Sequence, residues 1–212
     1  MKYVYIARHG ESDANIGNVF QGPHSALTAK GREQAALLAT RAARLPIEAI
    51  IASPWTRARA TAEAISERIG IPVEYSDLFT ERRKPDILEG KEFGDPQYQP
   101  LYDEWSASLF ADDAPAVDGG ENFAAIIERA DRALAHLEAR PERHIFVVSH
   151  GFFTRVLGAR AILGDMLTGP HLEAFTRTLR NDNTGITTFS LDDAWRIATW
   201  NDRTHLAELE TD

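Results

Sequence analysis

Short apolar runs alternate with helix-length stretches along the chain, and this alternation constrains the fold more than any other feature. Tyr3-Val4-Tyr5-Ile6-Ala7, Ala49-Ile50-Ile51-Ala52, Val73-Glu74-Tyr75 and His144-Ile145-Phe146-Val147-Val148 each read as a strand, the last being the clearest. Helical patterns run between them: from Thr28, suited to be an N-cap, to about Leu45; from Thr56 to Ile69, stopping at Gly70; from Glu121 to Ala139; and from Phe152 to Leu163. Ile127, Ala130, Leu134 and Leu137 share one face of the third. Residues 186–191 and 195–199 close the chain as two strands expected to be adjacent. Strands alternating with helices predict a three-layer α/β/α fold around a mostly parallel central sheet. With 212 residues and no internal repeat, one domain over 1–212 is expected. Residues 78–118 break the pattern with four prolines and the aromatic residues Phe79, Phe93, Tyr98, Tyr102, Trp105 and Phe110. A long irregular segment in a compact domain is often functional, so a lid-like insertion that sets substrate specificity is expected there.

Composition narrows the chemistry. There is no cysteine, which excludes disulfides, thiolate metal sites and cysteine nucleophiles. The net charge of −9 makes nucleic acid a poor partner. Residues 1–60 nevertheless hold eight Lys/Arg against four Asp/Glu, so they carry +4 while the remainder carries −13. No apolar run approaches the ~20 residues of a membrane span, so no membrane partner is expected. The Tyr3–Ala7 run is too short for a signal peptide, and the cytoplasm is the expected compartment.

Three strand ends lead into reactive segments: Arg8-His9-Gly10-Glu11, Ser53-Pro54-Trp55-Thr56-Arg57 and Ser149-His150-Gly151. In α/β sheets, sites form beyond the carboxyl ends of the strands. No P-loop is present, because Gly90-Lys91 is followed by Glu92 and lacks the upstream glycine. Ser149 is not set in a nucleophile elbow, because Val147 stands where the first glycine belongs. An imidazole beside two guanidiniums is pushed towards its neutral, nucleophilic form, and guanidiniums bind phosphate oxygens in pairs. His9, His150, Arg8 and Arg57 therefore suggest phosphoryl transfer through a phosphohistidine. A lone histidine would be better read as a core residue, but His9 is not alone. His9, His150 and Glu81 could in principle ligate a divalent metal. A dication beside Arg8 and Arg57 would be repelled, so neither metal nor cofactor is expected.

Ala7-Arg8-His9-Gly10-Glu11-Ser12-Asp13-Ala14-Asn15 resembles the signature of the histidine phosphatase superfamily, the phosphoglycerate-mutase-like enzymes. Leu27 to Ala35, Ser53 to Ala62 and Val147-Val148-Ser149-His150-Gly151 resemble the family's later motifs in the same order. Gly119-Gly120-Glu121 is similar to the start of a later family helix, with Asn122 in place of the commoner serine. The resemblance implies a phosphoglycerate mutase-like fold. It also implies that His9 attacks phosphorus, that Arg8, Arg57 and His150 bind the equatorial oxygens, and that Asn15 adds a hydrogen bond. The helix beginning after His150 would aim free N–H groups at the anion, with Gly151 among the phosphate-binding candidates.

The resemblance further places a general acid after the third strand, where Glu81 fits, with Glu89 as the alternative. The segment that follows, Arg82-Arg83-Lys84-Pro85, departs from both the common phosphatase and the mutase patterns. Arg82 and Arg83 are candidates for substrate-anion contact, against the plainer reading of a solvated loop face. The implied activity is metal-independent hydrolysis of a small phosphorylated metabolite. The rival readings are mutase-type transfer to a second hydroxyl and a non-catalytic phospho-ligand module.

Overall fold

The computed structural model describes residues 1–13, 18–20 and 22–207. Strands β1 (Lys2–Arg8), β2 (Ala49–Ala52), β3 (Val73–Tyr75), β4 (His144–Ser149), β5 (Ile186–Leu191) and β6 (Trp195–Asp202) form one sheet in the order β3-β2-β4-β1-β5-β6. The first four are parallel, while β5 pairs antiparallel with both β1 and β6. A mostly parallel sheet is thus present, with an antiparallel pair at one edge. The two closing strands are neighbours, as expected.

Six α-helices are present among the described residues: α1 (Ala29–Ala42), α2 (Thr56–Ile69), α3 (Gln99–Ala107), α4 (Phe123–Ala139), α5 (Gly151–Leu163) and α6 (Gly169–Thr178). Side chains alternate across a strand, so each inner strand feeds two cores. Tyr5, Ala7, Phe146 and Val148 pack with Leu38 of α1 and Ala58, Ala62 and Ile65 of α2. Val4, Ile6, Ile145 and Val147 pack with Ile126 and Leu137 of α4, Phe153 and Val156 of α5, and Leu172 of α6. The three layers follow directly from that period-two pattern in β1 and β4.

Local chemistry sets the helix ends. Thr28 caps α1, accepting from the Gly31 N–H, and the helix stops at Ala42 rather than near Leu45. Gly70 ends α2 in the left-handed conformation, at φ 78°. The helix expected from Glu121 starts at Phe123, because the Asn122 side chain accepts from the Ala125 N–H and makes Asn122 the N-cap. Ala130 and Leu137 of the expected face are fully buried, as is Ile126, while Ile127 is partly buried and packs against the same core. Helices α3 and α6 add to those expected from the sequence. No α3 residue is fully buried, so it lacks the apolar stripe that reveals a helix. Helix α6 begins with Gly169-Pro170 behind the capping hydroxyl of Thr168.

Candidate active site

Strand register builds the site. Arg8 of β1 stands opposite Ser149 of β4, so the next residues along, His9 and His150, leave the sheet side by side. The His9 N–H donates to the Ser149 carbonyl at 3.0 Å, and the two imidazole centroids lie 5.1 Å apart. The Ser53 N–H donates to the Val148 carbonyl from the end of β2, and α2 starts at Thr56 and carries Arg57 inward. All three strand ends singled out in the sequence meet here.

Arg57 joins the pair. Its Nε–H donates to His9 Nε2 at 3.0 Å, and its Nη2 reaches His150 Nδ1 at 3.2 Å. Its Nη1 donates to the Gly22 carbonyl. These contacts fix both tautomers. His9 Nδ1 lies 2.7 Å from the Gly10 carbonyl and so carries the proton, which leaves the lone pair on Nε2. His150 accepts at Nδ1, so its Nε2–H donates to Ser53 Oγ at 2.8 Å. Burial, and then the positive charge of Arg57 and Arg8, hold His9 well below the ordinary histidine range. The same causes depress His150, burial first and then Arg57. Burial also lowers Arg57 to about 10, with Glu81 opposing that shift, so the guanidinium stays charged at neutral pH. Two neutral imidazoles share one cation.

Arg8 completes the cationic group. Its Nη1 donates to the Asn181 carbonyl at 2.8 Å, while its Nε is buried without a hydrogen-bond partner. An orphaned buried guanidinium N–H is costly and calls for an acceptor. Gly151 matters as a spacer, since a side chain there would press on the Arg8 guanidinium. Glycines also set the close packing behind His9. A Cβ on Gly10 would collide with the Gly31 carbonyl, and one on Gly31 with the Glu11 carbonyl.

Glu81 lines the same cavity as Arg57. Its carboxylate accepts from the Phe152 and Phe153 N–H groups at 3.1 and 2.9 Å, and from the Arg82 N–H at 3.1 Å. This corrects one expectation: those two amides at the start of α5 are engaged by Glu81 rather than free for an anion. Glu89 is placed differently. It does not line the cavity, its carboxylate packs against Gly22, and it pairs with Lys84 at 3.7 Å. Ser149 donates to the Phe79 carbonyl and has a structural part. Asn15 lies outside the described residues.

Arg82 and Arg83 are largely tied into the fold. The Arg82 guanidinium forms part of the cavity wall, but it donates to the Glu121 and Trp105 carbonyls and lies 3.9 Å from the Trp105 ring centroid. The Arg83 side chain is exposed, pairs with Glu121 and does not line the cavity. Arg59, by contrast with Arg57, turns to the surface and pairs with Glu63.

Two groups of supporting residues were not found from the sequence. The first is a buried ion pair: Arg129 Nε and Nη2 each lie 2.7 Å from a Glu121 oxygen. Burial pushes the Glu121 carboxyl up, but Arg129 and the Arg83 N–H outweigh it, so the net shift is downward. Arg129 also donates to the carbonyls of Leu78, Thr80 and Glu81 and thereby holds the backbone of Glu81 itself. The second group is the loop before β5. Asn183 Nδ2 donates to the His9 carbonyl, and the Thr184 N–H to the Arg8 carbonyl. Thr184 takes a left-handed φ of 58° to do so. Asn183 was findable only as a polar cluster, Asn181-Asp182-Asn183, just before a strand.

Residues 4–203 match the family profile of the histidine phosphatase superfamily, branch 1. The chain belongs to the histidine phosphatase superfamily. A probable phosphoglycerate mutase GpmB from Shigella boydii is 31% identical over 216 residues, spanning 97% of this chain and 95% of that protein. A putative alpha-ribazole-5'-P phosphatase structure from Escherichia coli superposes with a TM-score of 0.80 at 27% identity, covering 95% and 97% of the two chains. A phosphoserine phosphatase mutant from Entamoeba histolytica, solved with phosphoserine, superposes at 0.73 with 26% identity, covering 97% and 100%. Histidine phosphatase superfamily members similar to this chain are thus named as phosphatases or as mutases. Among the described residues, no helix is long and apolar enough to cross a membrane.

Proposed function

We propose that this protein is a phosphomonoesterase that works through a phosphohistidine at His9, without a metal. The observation that carries the reading is the Arg57 bridge between His9 Nε2 and His150 Nδ1. It supports the reading because two neutral imidazoles meet one guanidinium there, with the orphaned Nε of Arg8 in the same cationic group. The substrate is a small phosphorylated molecule. On its entry the Arg57 N–H groups would turn from the imidazoles to the phosphoryl oxygens, which frees the His9 lone pair.

The first step forms the His9 Nε2–P bond and breaks the P–O ester bond, and Glu81 gives a proton to the departing oxygen. In the second, Glu81 takes a proton from water, the water oxygen bonds to phosphorus, the N–P bond breaks and inorganic phosphate leaves. Arg8, Arg57 and His150 stabilise the charge on the equatorial oxygens in both. The support for Glu81 over Glu89 is its place on the cavity beside Arg57. A mutase must also hold a second anionic group. The lysine and the second arginine of the cavity already have protein partners, Glu89 for Lys84 and main-chain carbonyls for Arg82, which favours hydrolysis. Phosphate release from a panel of monoesters, compared between wild type and His9→Asn, tests the reading. Wild-type release that the substitution abolishes is expected; equal rates would refute it.

A further inference from the structure

We infer that the leaving group this site accepts is a flat aromatic ring system, not a small polyol and not a group bearing a second anion; the inference rests on the phosphomonoesterase reading. The cavity that meets Arg57 and Glu81 has a volume of about 460 Å³. That is within the ~300–1,000 Å³ typical of sites for drug-sized ligands, and generous for a phosphorylated three-carbon unit. Much of its lining is aromatic rings. Phe20 and Phe93 lie 4.0 Å apart between centroids, Phe20 and Tyr102 4.9 Å, and Tyr102 and Trp105 5.9 Å. Phe152 adds a ring from the first turn of α5. The ring pairs are tilted rather than parallel, so they offer both edges and faces to a further ring.

The wall is built into the backbone. Val19 bridges Glu92, the Phe20 N–H donates to the Lys91 carbonyl, and the Phe93 N–H donates to the Asn18 carbonyl. These bonds lock the segment after β1 to the 78–118 segment, with the Phe20 and Phe93 rings in tilted contact across the joint. The charges on the same cavity point away from a second anion. Lys84 is largely buried and paired with Glu89, and Arg82 is bonded to main-chain carbonyls. Arg57 is taken by the histidines and the phosphoryl group. An apolar ring would therefore gain from the walls what a carboxylate or a second phosphate could not gain from the cations.

The test compares kcat/KM of the full chain for naphthylmethyl phosphate, n-octyl phosphate, glycerol phosphate and phosphoglycerate. The first three are alkyl esters with similar leaving alkoxides, so the ratio reports recognition and not leaving-group chemistry. The ring ester is expected to lead glycerol phosphate by roughly tenfold or more. Phe93→Ala and Tyr102→Ala should erase most of that lead, chiefly through KM, while leaving glycerol phosphate within about twofold. Phe93 is 44% exposed, so its truncation does not endanger the fold. Equal or better turnover of glycerol phosphate or phosphoglycerate would overturn the inference. So would equal turnover of the octyl ester, or variants that slow every ester alike. If no ester is hydrolysed, the phosphatase reading fails by itself, and calorimetric binding of naphthylmethyl phosphonate then decides. Binding that Phe93→Ala weakens supports the ring pocket, and no binding refutes it.

Discussion

Arg57 donates its Nε–H to Nε2 of His9 at 3.0 Å, the one imidazole nitrogen whose lone pair is not already protonated. In the proposed reaction, the group that would bind the transferred phosphoryl is therefore also the group that covers the His9 lone pair. Its second arm lies on His150, so a single planar fork spans both histidines.

A fork cannot be replaced by a point charge. Arg57→Lys keeps the charge but cannot reach His9 and His150 together. It should lower kcat/KM about 100- to 1,000-fold, the loss seen when one donor to a developing charge is removed. Arg57→Ala should do the same or worse. Steady-state phosphate release measures both, and a Lys variant within about threefold of wild type would show that charge alone suffices.

The Arg129–Glu121 pair links stability to the position of Glu81, the proposed general acid. Arg129→Met leaves a carboxylate buried without its partner and removes the donors to the Leu78, Thr80 and Glu81 carbonyls. Denaturant unfolding should show a loss of about 3–5 kcal/mol. Folded variant at low temperature should also lose kcat, because Glu81 is no longer held. Unchanged kcat in the folded variant would separate Arg129 from the site.

The two depressed histidines tie stability to pH. In the unfolded chain they take up protons below about 6.5, whereas in the native state they stay neutral. The unfolded state therefore binds more protons as the pH falls through that value, and stability drops. Each histidine contributes up to about 1.4 kcal/mol per pH unit between 6.5 and its lower native pKa. The stability is fully present above about 6.5. Unfolding curves from pH 7.5 to 5 should be steeper in pH for wild type than for a His9→Asn, His150→Asn double variant. Identical pH slopes would mean that the imidazoles are protonated in the native state.

Gly10 and Gly31 touch backbone to backbone, so either glycine-to-alanine change should cost about 1–3 kcal/mol through overpacking. Thermal or chemical unfolding of Gly31→Ala checks this away from the reacting atoms, and a change within experimental error would show that the contact can relax.

What the sequence disclosed, and what it hid, divides along physical lines. Strands β1 and β4 are continuous apolar runs, and their ends carry Arg8, His9, Ser149 and His150, so both the sheet and the heart of the site were legible. Thr28 as a cap was legible because its partner, Gly31, is three residues away. Helix α3 was hidden because it buries no complete side chain. Arg129 was hidden because its partners in the 78–81 segment lie about fifty residues back and reach it only in the folded chain. The basic run 82–83 read as two candidate anion contacts. Folding turns one into a strut for Trp105 and leaves the other exposed, reaching back to the buried Glu121. Spacing reveals local contacts and strand-end clusters, but not which long side chain will be claimed by a distant carbonyl.

A covalent phosphoryl-enzyme at His9 is the step on which everything else depends. Mixing excess enzyme with a radiolabelled monoester, quenching within milliseconds and mapping the label by proteolysis would detect it. Label on the peptide containing His9, stable in alkali, lost in acid and absent from His9→Asn, is the expected result. Phosphate release at an undiminished rate from His9→Asn, with no label on His9 in wild type at any time, would contradict it.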